Sequence, residues 1–498
     1  MNIHLSNLHI WIILSTILHL LTFVFVVIHA LHRRRNASAT ILWIFIAWTI
    51  PFFGALLYLA FGIDRVPEKG LIKKETNQFF YDHRKKCYQS DDAFIAWHFK
   101  YETKVDSLEN SLIKQLNLLI NKLNPEHPLL DGNQITPLLC GDEAYPEMLK
   151  AIRSAKHHIH IQSFIIGKDS IGKQLLDALK EKANEGIHVR LLFDRFGSAP
   201  AHLKGFFRKY KNIPNLEITG WTQANIFKRQ FQVNLRNHRK NLIVDGTVAF
   251  FGGVNIAEEN LSNATRPAIR DYHFKVMGPL VHELQYSFLR DWFFITDAPP
   301  NSLLCHEHFP ETKTSGSVKS RIIDSGPSIA PGLLGEVFFN AIVLAQNQIL
   351  IVTPYFVPTI DILKALRSAA RRCVDVRIIL PEKNNHRYAG QAARSLYEEL
   401  LIAGVRIFER APPFIHAKAM LIDDTIALVG TANLDIRSLE LNYETTILIQ
   451  DETTANQIKH NIHDELEQSQ EIDLNDWLNR PAIHKFSENL SILLAPIL

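Results

Sequence analysis

His238, Lys240 and Asp245 stand as His-x-Lys, four residues, then Asp, and His416, Lys418 and Asp423 repeat that spacing. The offset between the copies is 178 residues (416 − 238), and Asn255 and Asn433 keep it further on. Four positions held at one offset indicate an internal duplication that builds one site from two halves. The residue types suit a phosphodiester. Such a group is anionic and resists water, so opening it needs cationic clamps, a nucleophile and an acid for the leaving alkoxide. Two histidines supply nucleophile and acid. Two lysines neutralise charge without a metal, and two asparagine amides can donate to phosphate oxygens. Neither a metal nor any other cofactor is expected.

The elements around these residues follow from local pattern. His-x-Lys fits a strand, where residues i and i+2 share a face. Residues 241–244 and 419–422 read as mostly apolar strand interior, and Asp245 and Asp423 begin turns. Both aspartates complete the motif and count among the candidate catalytic residues, although a turn-holding role suits them better. Residues 248–251 and 426–429 form short apolar strands that end in small-residue corners, Gly252-Gly253 and Gly430-Thr431. Small residues let backbone approach a ligand closely, and the Thr431 hydroxyl is a further candidate donor to phosphate.

The paired motif resembles the phospholipase D superfamily. The second copy, residues 414–438, closely resembles the bacterial cardiolipin synthases of that superfamily, as do residues 441–444, 353–358 and 376–381. The resemblance runs from the first apolar segment to residues 488–498. It implies that His238 forms a phosphohistidine and that His416 acts as general acid, then base; the two symmetric copies by themselves leave that choice open. Attack by imidazole requires a neutral, oriented ring, so each histidine should have a carboxylate on its other nitrogen. Glu444 fits the family pattern in the second half, and Asp271 is the first-half candidate. The implied reaction moves a phosphatidyl group from one phosphatidylglycerol to another and releases glycerol. Water must lose that competition, which an apolar, membrane-apposed mouth would ensure. Phe206, Phe207, Trp221, Ile226, Phe227 and Phe231, interleaved with Lys204, Arg208, Lys228 and Arg229, are candidates for such a surface, with ordinary core packing as the alternative. The apolar spacing of residues 486–498 suits docking on the domain or on the membrane. A phospholipase D-type hydrolase and a phosphatidylserine synthase-like transferase share every catalytic residue; a membrane-tethered nuclease and an inactive scaffold are more distant alternatives.

Alternating elements set the architecture. Helices over 145–156 and 172–186 and strands over 158–166 and 189–193 recur as helices over 334–345 and 362–371 and strands over 349–353 and 376–380. This order predicts an α/β fold of two pseudo-twofold-related phospholipase D-type lobes, mixed sheets flanked by helices, with both motifs at their interface. The expected divisions are a transmembrane hairpin over 1–65, a linker and helical region over 66–125, and lobes over 126–300 and 301–498. Residues 298–316, with Pro299, Pro300 and Pro310, read as the interlobe linker.

Residues 10–31 and 40–61 are each 22 long without Asp, Glu, Lys or Arg. Both exceed the roughly 18–20 residues that span a bilayer core, so a two-helix hairpin in a bacterial inner membrane is expected. Arg33, Arg34 and Arg35 pull the connecting loop to the cytoplasm, whereas Arg65, Lys69, Lys73 and Lys74 pull the following domain there. We take the catalytic lobes to be cytoplasmic. A net charge of +3 argues against a partner bound through bulk charge, so membrane phospholipid and not nucleic acid is the expected partner. Cys87, Cys140, Cys305 and Cys373 form no C-x-x-C pair, and Cys373 reads as a packing residue where the first half has Gly186. His158 and His160 share a strand face, but the second half has no counterpart, so no metal site is assigned to them.

Overall fold

The computed structural model describes residues 2–32, 37–62, 66–89, 100–221, 236–327 and 332–493. Residues 1–68 and 69–498 form two compact units.

In the first unit, α1 (Asn2–His32) is a continuous helix whose stretch Trp11–His32 is long and apolar enough to cross a membrane. The second apolar segment does not form one helix. α2 (Ala37–Thr49) stops before Pro51, and the chain restarts as α3 (Phe53–Leu57) and a single π turn, Tyr58–Gly62. Proline lacks the N–H an uninterrupted helix needs and crowds the preceding turn. Val26, Ala30, Ala47, Ala55 and Tyr58 pack between the helices, and Trp48 meets Phe23 edge-on at 5.0 Å, while Trp11, Leu21, Ile28, Ile41 and Phe45 point outward. Arg33, Arg34, Arg35 and Arg65 lie outside the described residues.

The second unit opens in α4 (Val66–Gln89), followed by α5 (Ser111–Leu123). The first lobe then builds β1 (Leu130–Leu139), α6 (Cys140–Ser154), β2 (His158–Ser163), α7 (Ser170–Asn184), β3 (His188–Asp194), β4 (Leu216–Trp221), β5 (Asn241–Val244), β6 (Val248–Gly252), β7 (Tyr272–Met277) and α8 (Leu280–Thr296). The second lobe builds β8 (Val318–Ser325), α9 (Leu333–Leu344), β9 (Gln348–Val352), β10 (Phe356–Val357), α10 (Ile360–Arg371), β11 (Asp375–Pro381), α11 (Arg387–Arg394), β12 (Arg406–Arg410), β13 (Ala419–Ile422), β14 (Ile426–Gly430), β15 (Leu434–Asp435), β16 (Glu444–Gln450), α12 (Glu452–Glu467), β17 (Ser469–Glu471) and α13 (Ala482–Ile492).

The lobes do not carry separate sheets. Among the described residues, fifteen strands form one sheet in the order β17-β12-β11-β9-β13-β14-β16-β8-β1-β7-β6-β5-β2-β3-β4. Read outward from the antiparallel β1–β8 pair, both halves have the same strand order as far as β4 and β12, which is the duplication made visible, and β17 adds an edge strand to the second half. Strands β2, β3 and β4 are parallel, as are β9, β11 and β12, while the motif strands β5, β6, β13 and β14 pair antiparallel. The amphipathic stripe of α7 buries Leu175, Leu176 and Leu179 against β2 and β3, and α10 buries Ile362, Leu366 and Ala369 in the same way in the second half.

Two sequence expectations fail on packing. Phe206, Phe207 and Trp221 are buried core, not a lipid-facing surface, and Ile226, Phe227, Lys228, Arg229 and Phe231 lie outside the described residues. Cys373 is exposed rather than packed; it ends its helix in the left-handed region at φ 67°, where Gly186 sits at φ 93°. The side chain of Cys87 is outside the described residues.

Candidate active site

Register puts most of the singled-out residues at one end of the motif strands. His238–Lys240 precede β5, whose first residue Asn241 pairs with Phe251 near the end of β6. Gly253 to Asn255 continue from that end of β6, and Asp271 precedes β7, which pairs Gly252 with His273. The second half repeats this with His416–Lys418, Thr431 to Asn433 and Glu444.

The segments that carry the histidines cross between lobes. The His238 N–H donates to the Tyr443 carbonyl at 2.9 Å, and the His416 N–H donates to the Arg270 carbonyl at 2.6 Å. The carboxylates are exchanged the same way. His238 Nδ1 lies 2.9 Å from Glu444 Oε2, and His416 Nδ1 lies 2.6 Å from Asp271 Oδ2. Each histidine is therefore oriented by the other lobe, and the two half-sites are locked into one. Sequence distance suggested partners within each half; the crossed bridges are the physical reason for the exchange. A carboxylate on Nδ1 fixes the proton there and leaves the Nε2 lone pair available.

The surroundings of the two carboxylates differ. The Thr431 hydroxyl donates to Glu444 Oε2 at 2.5 Å, and Asn442 Nδ2 donates to Oε1 at 3.2 Å. The hydroxyl is thus engaged by Glu444 and is not the phosphate donor the sequence suggested. At the equivalent corner, Gly253 leaves the room that Asp271 fills, since a Cβ there would overlap its carboxylate.

Lys240 Nζ donates to the His238 carbonyl at 2.7 Å, and Lys418 Nζ donates to the His416 carbonyl. Lys418 Nζ is also 2.9 Å from His416 Nδ1, a nitrogen that cannot accept from it while donating to Asp271. Burial, with Lys418 nearby, pushes the Lys240 ammonium down to about 7; burial pushes Lys418 down to about 8 against the pull of Asp271 and Glu444. Burial also lowers His238 against Glu444, and lowers His416 to about 4, with Lys418 adding to the effect and Asp271 opposing it. Burial alone would raise Asp271 and Glu444, but the neighbouring cationic and histidine groups hold both below their ordinary range. The site thus holds two neutral imidazoles beside two ammoniums crowded together, a field that an anion relieves. Asn255 and Asn433 are buried, and neither amide oxygen has a protein partner. Rotating the Asn255 amide by 180° presents its NH2 to a phosphate oxygen, whereas the Asn433 NH2 donates to Asp435 and has a second N–H for phosphate.

Asp245 and Asp423 are the members that do not join. Each sits at the far end of its motif strand, in the left-handed region at φ 53° and φ 49°. Asp245 accepts from the N–H groups of Lys156, His157 and His158 at 2.8–3.0 Å, and Asp423 from those of Gln346, Asn347 and Gln348 at 2.7–2.9 Å. Their catalytic listing is corrected: these carboxylates already satisfy three backbone donors each and tie the helix-to-strand loop to the motif strand.

The sequence reading missed a buried ionic network behind the site. Asp291 accepts from Asn237 Nδ2 at 2.8 Å and from Arg239 at 2.5 Å, the residues on either side of His238. It also accepts from Lys73 Nζ at 2.9 Å, so Lys73 is committed inside the protein and not available as a membrane-surface charge. The sequence signal was the charged residues Glu283, Arg290 and Asp291 on a largely apolar α8. His158 and His160 pack beside His308, with the Arg190 guanidinium 3.2 Å from His160 and His308, a cation where a metal would have to sit.

Comparison with known proteins gives three findings. The family described as "Cardiolipin synthase, PLD-like domain" matches residues 148–292 and 338–466, and the phospholipase D-nuclease N-terminal family matches residues 10–62. The major cardiolipin synthase ClsA of Bacillus subtilis is 32% identical over 98% of this chain and 99% of its own length. Cardiolipin synthase 1 of Staphylococcus aureus is 30% identical, covering 96% of this chain and 95% of its own. The crystal structure of a phosphatidylserine synthase from Haemophilus influenzae superposes with a TM-score of 0.59 at 17% identity, over 77% of this chain and all of that one, which shows a shared fold.

Proposed function

The chain belongs to the cardiolipin synthase family of phospholipase D-like proteins, and from that premise we propose that it joins two phosphatidylglycerol molecules into cardiolipin and glycerol through a phosphohistidine at His238. In the first step, Nε2 of His238 attacks phosphorus and the bond to the glycerol headgroup breaks. His416, protonated at Nε2, gives its proton to the departing glycerol oxygen. In the second step the terminal hydroxyl of another phosphatidylglycerol attacks the phosphohistidine, His416 takes its proton, and the P–N bond breaks. Lys240, Lys418, Asn255 and Asn433 hold the phosphate oxygens. The anion also offsets the mutual repulsion of the two lysines, which returns His416 towards the protonated form the first step uses.

The observation that carries this reading is the crossed carboxylate pairing, which arms two imidazoles over one shared site. The choice of His238 as nucleophile is supported by its two acceptors, Glu444 and the Thr431 carbonyl at 3.1 Å. Both fix the Nδ1 proton, whereas His416 has one acceptor and an ammonium beside it. Asp271 and Glu444 orient; Asp245 and Asp423 hold turns.

The same reading places the enzyme in the bacterial inner membrane by α1 and the broken segment α2–α3, a two-helix hairpin with the catalytic lobes cytoplasmic. Outward apolar side chains on α1 and α2 support insertion. Protease accessibility in spheroplasts against inverted vesicles tests the sidedness; digestion of the lobes from the outside would reverse it. Product analysis with labelled phosphatidylglycerol tests the reaction. Cardiolipin plus glycerol is expected; phosphatidic acid alone would make the protein a hydrolase.

A further inference from the structure

We propose that α13, the last described helix, is an interfacial helix that lies on the phospholipid bilayer and seats the mouth of the site on it. Its amphipathicity is inverted with respect to the protein. Ile483, Phe486, Leu490 and Leu493 are 69, 65, 56 and 72% exposed. At 3.6 residues per turn these four positions fall within an arc of roughly 80°. The side that faces the lobe is mostly polar, with Ile492 its apolar member: Glu488 is buried and held by Arg480 at 2.8 and 3.1 Å, and the Ser491 hydroxyl donates to Gln391 Oε1 at 2.9 Å. A helix that turns ion pairs inward and an apolar stripe outward is built for an apolar surface that it does not find among the described residues.

The neighbourhood identifies that surface as lipid. Ile492 packs with Val357 and Ile436, which lie within three residues of Tyr355 and Asn433. Tyr355 stands between the site and α11: its ring is 6.4 Å from that of His416, and its hydroxyl donates to Asn385 at 2.8 Å just before α11 begins. The helix is therefore moored, through Ile492, beside the wall of a site whose substrate, on the reading above, is a membrane phospholipid. Lys383 and Arg387 are exposed at the approach to α11, alongside exposed Tyr388, a cationic and amphipathic rim suited to an anionic lipid surface. Seating this helix in the interface would bring substrate to the site by lateral diffusion and keep bulk water out.

The test uses the full chain in vesicles of phosphatidylglycerol and phosphatidylcholine. In Phe486→Trp, the added emission is expected to be quenched by lipids brominated on the acyl chain. Phe486→Ser/Leu490→Ser is expected to raise the KM for phosphatidylglycerol mole fraction about tenfold with kcat kept, and to leave turnover of monomeric short-chain phosphatidylglycerol unchanged. Unquenched emission overturns the proposal, and if it coincides with self-association the stripe belongs to a second copy. An unchanged interfacial KM overturns it as well. If the unaltered chain makes no cardiolipin, the functional reading fails, while quenching still decides the docking.

Discussion

At the scale of single residues, the crossed carboxylates separate orientation from charge. Glu444→Gln keeps the shape beside His238 but removes the charge and lets an amide NH2 face Nδ1, so the tautomer is no longer fixed. The expected result is a 10- to 100-fold loss in kcat, of the size seen when such partners are removed, with KM little changed. Gly253→Ala makes a sharper demand, because the added Cβ collides with Asp271 and disturbs His416 from the opposite lobe. Activity should collapse while the thermal transition stays within a few degrees of the unaltered protein. The turn aspartates should behave in the reverse manner. Asp245→Ala leaves three N–H groups without their acceptor and should cost about 1–3 kcal/mol in denaturant unfolding, with activity per folded molecule retained. Loss of turnover in a fully folded Asp245→Ala protein would return that residue to the chemistry. The lysines set the pH response. Both ammoniums are depressed, to about 7 and about 8, so below those values they balance the Asp271 and Glu444 carboxylates, and above them the carboxylates are left without that balance. Hence kcat/KM should fall as pH rises from 7 to 9, through weaker capture of the anionic substrate. Each folded-state value lies below the unfolded one, so the empty protein should gain stability over the same rise, opposite in sign to the activity.

At the scale of elements, most strands and helices were legible because each half repeats one pattern. The expected strand over 349–353 is Gln348–Val352, and the expected helix over 362–371 is Ile360–Arg371. Apolar periodicity fixed these, and the turn residues fixed their ends to within a residue or two. The failures share a cause: they depend on what an element meets in space. Pro51 interrupts the second apolar segment, and hydropathy averages over that break. Phe206 and Trp221 look lipid-facing in a basic context but point into the core. The pairing of Asp271 with His416 runs across 145 residues and follows from the bridge between Arg270 and Ile415, which no spacing reveals. Asp291, the anchor of the loop around His238, carries no motif at all. Asp291→Ala would leave the buried Lys73 without a carboxylate and Arg239 with Asp324 alone, at 3.5 Å; a loss of about 3–5 kcal/mol is expected from unfolding measurements.

At the scale of the whole molecule, the two halves are one catalytic unit. A continuous sheet joins them through β1 and β8, and each half holds the carboxylate that the other half's histidine needs. A single lobe would carry a His-x-Lys pair without orientation, so fragments ending between the lobes should be inactive alone even where they fold. The duplicated motif was visible from the first reading; the dependence of each copy on the other was not, because symmetry in sequence is equally compatible with two independent sites. The most direct test of the central claim is to trap the intermediate. His416→Ala, mixed with phosphate-labelled phosphatidyl-p-nitrophenol, whose leaving group needs no acid, should retain an acid-labile label on His238, and His238→Ala should retain none. Label on His416 in the His238→Ala protein, with none on His238 in the converse variant, would reverse the assigned roles. No labelled protein in either, with cardiolipin still formed by the unaltered chain, would contradict a covalent route through this site.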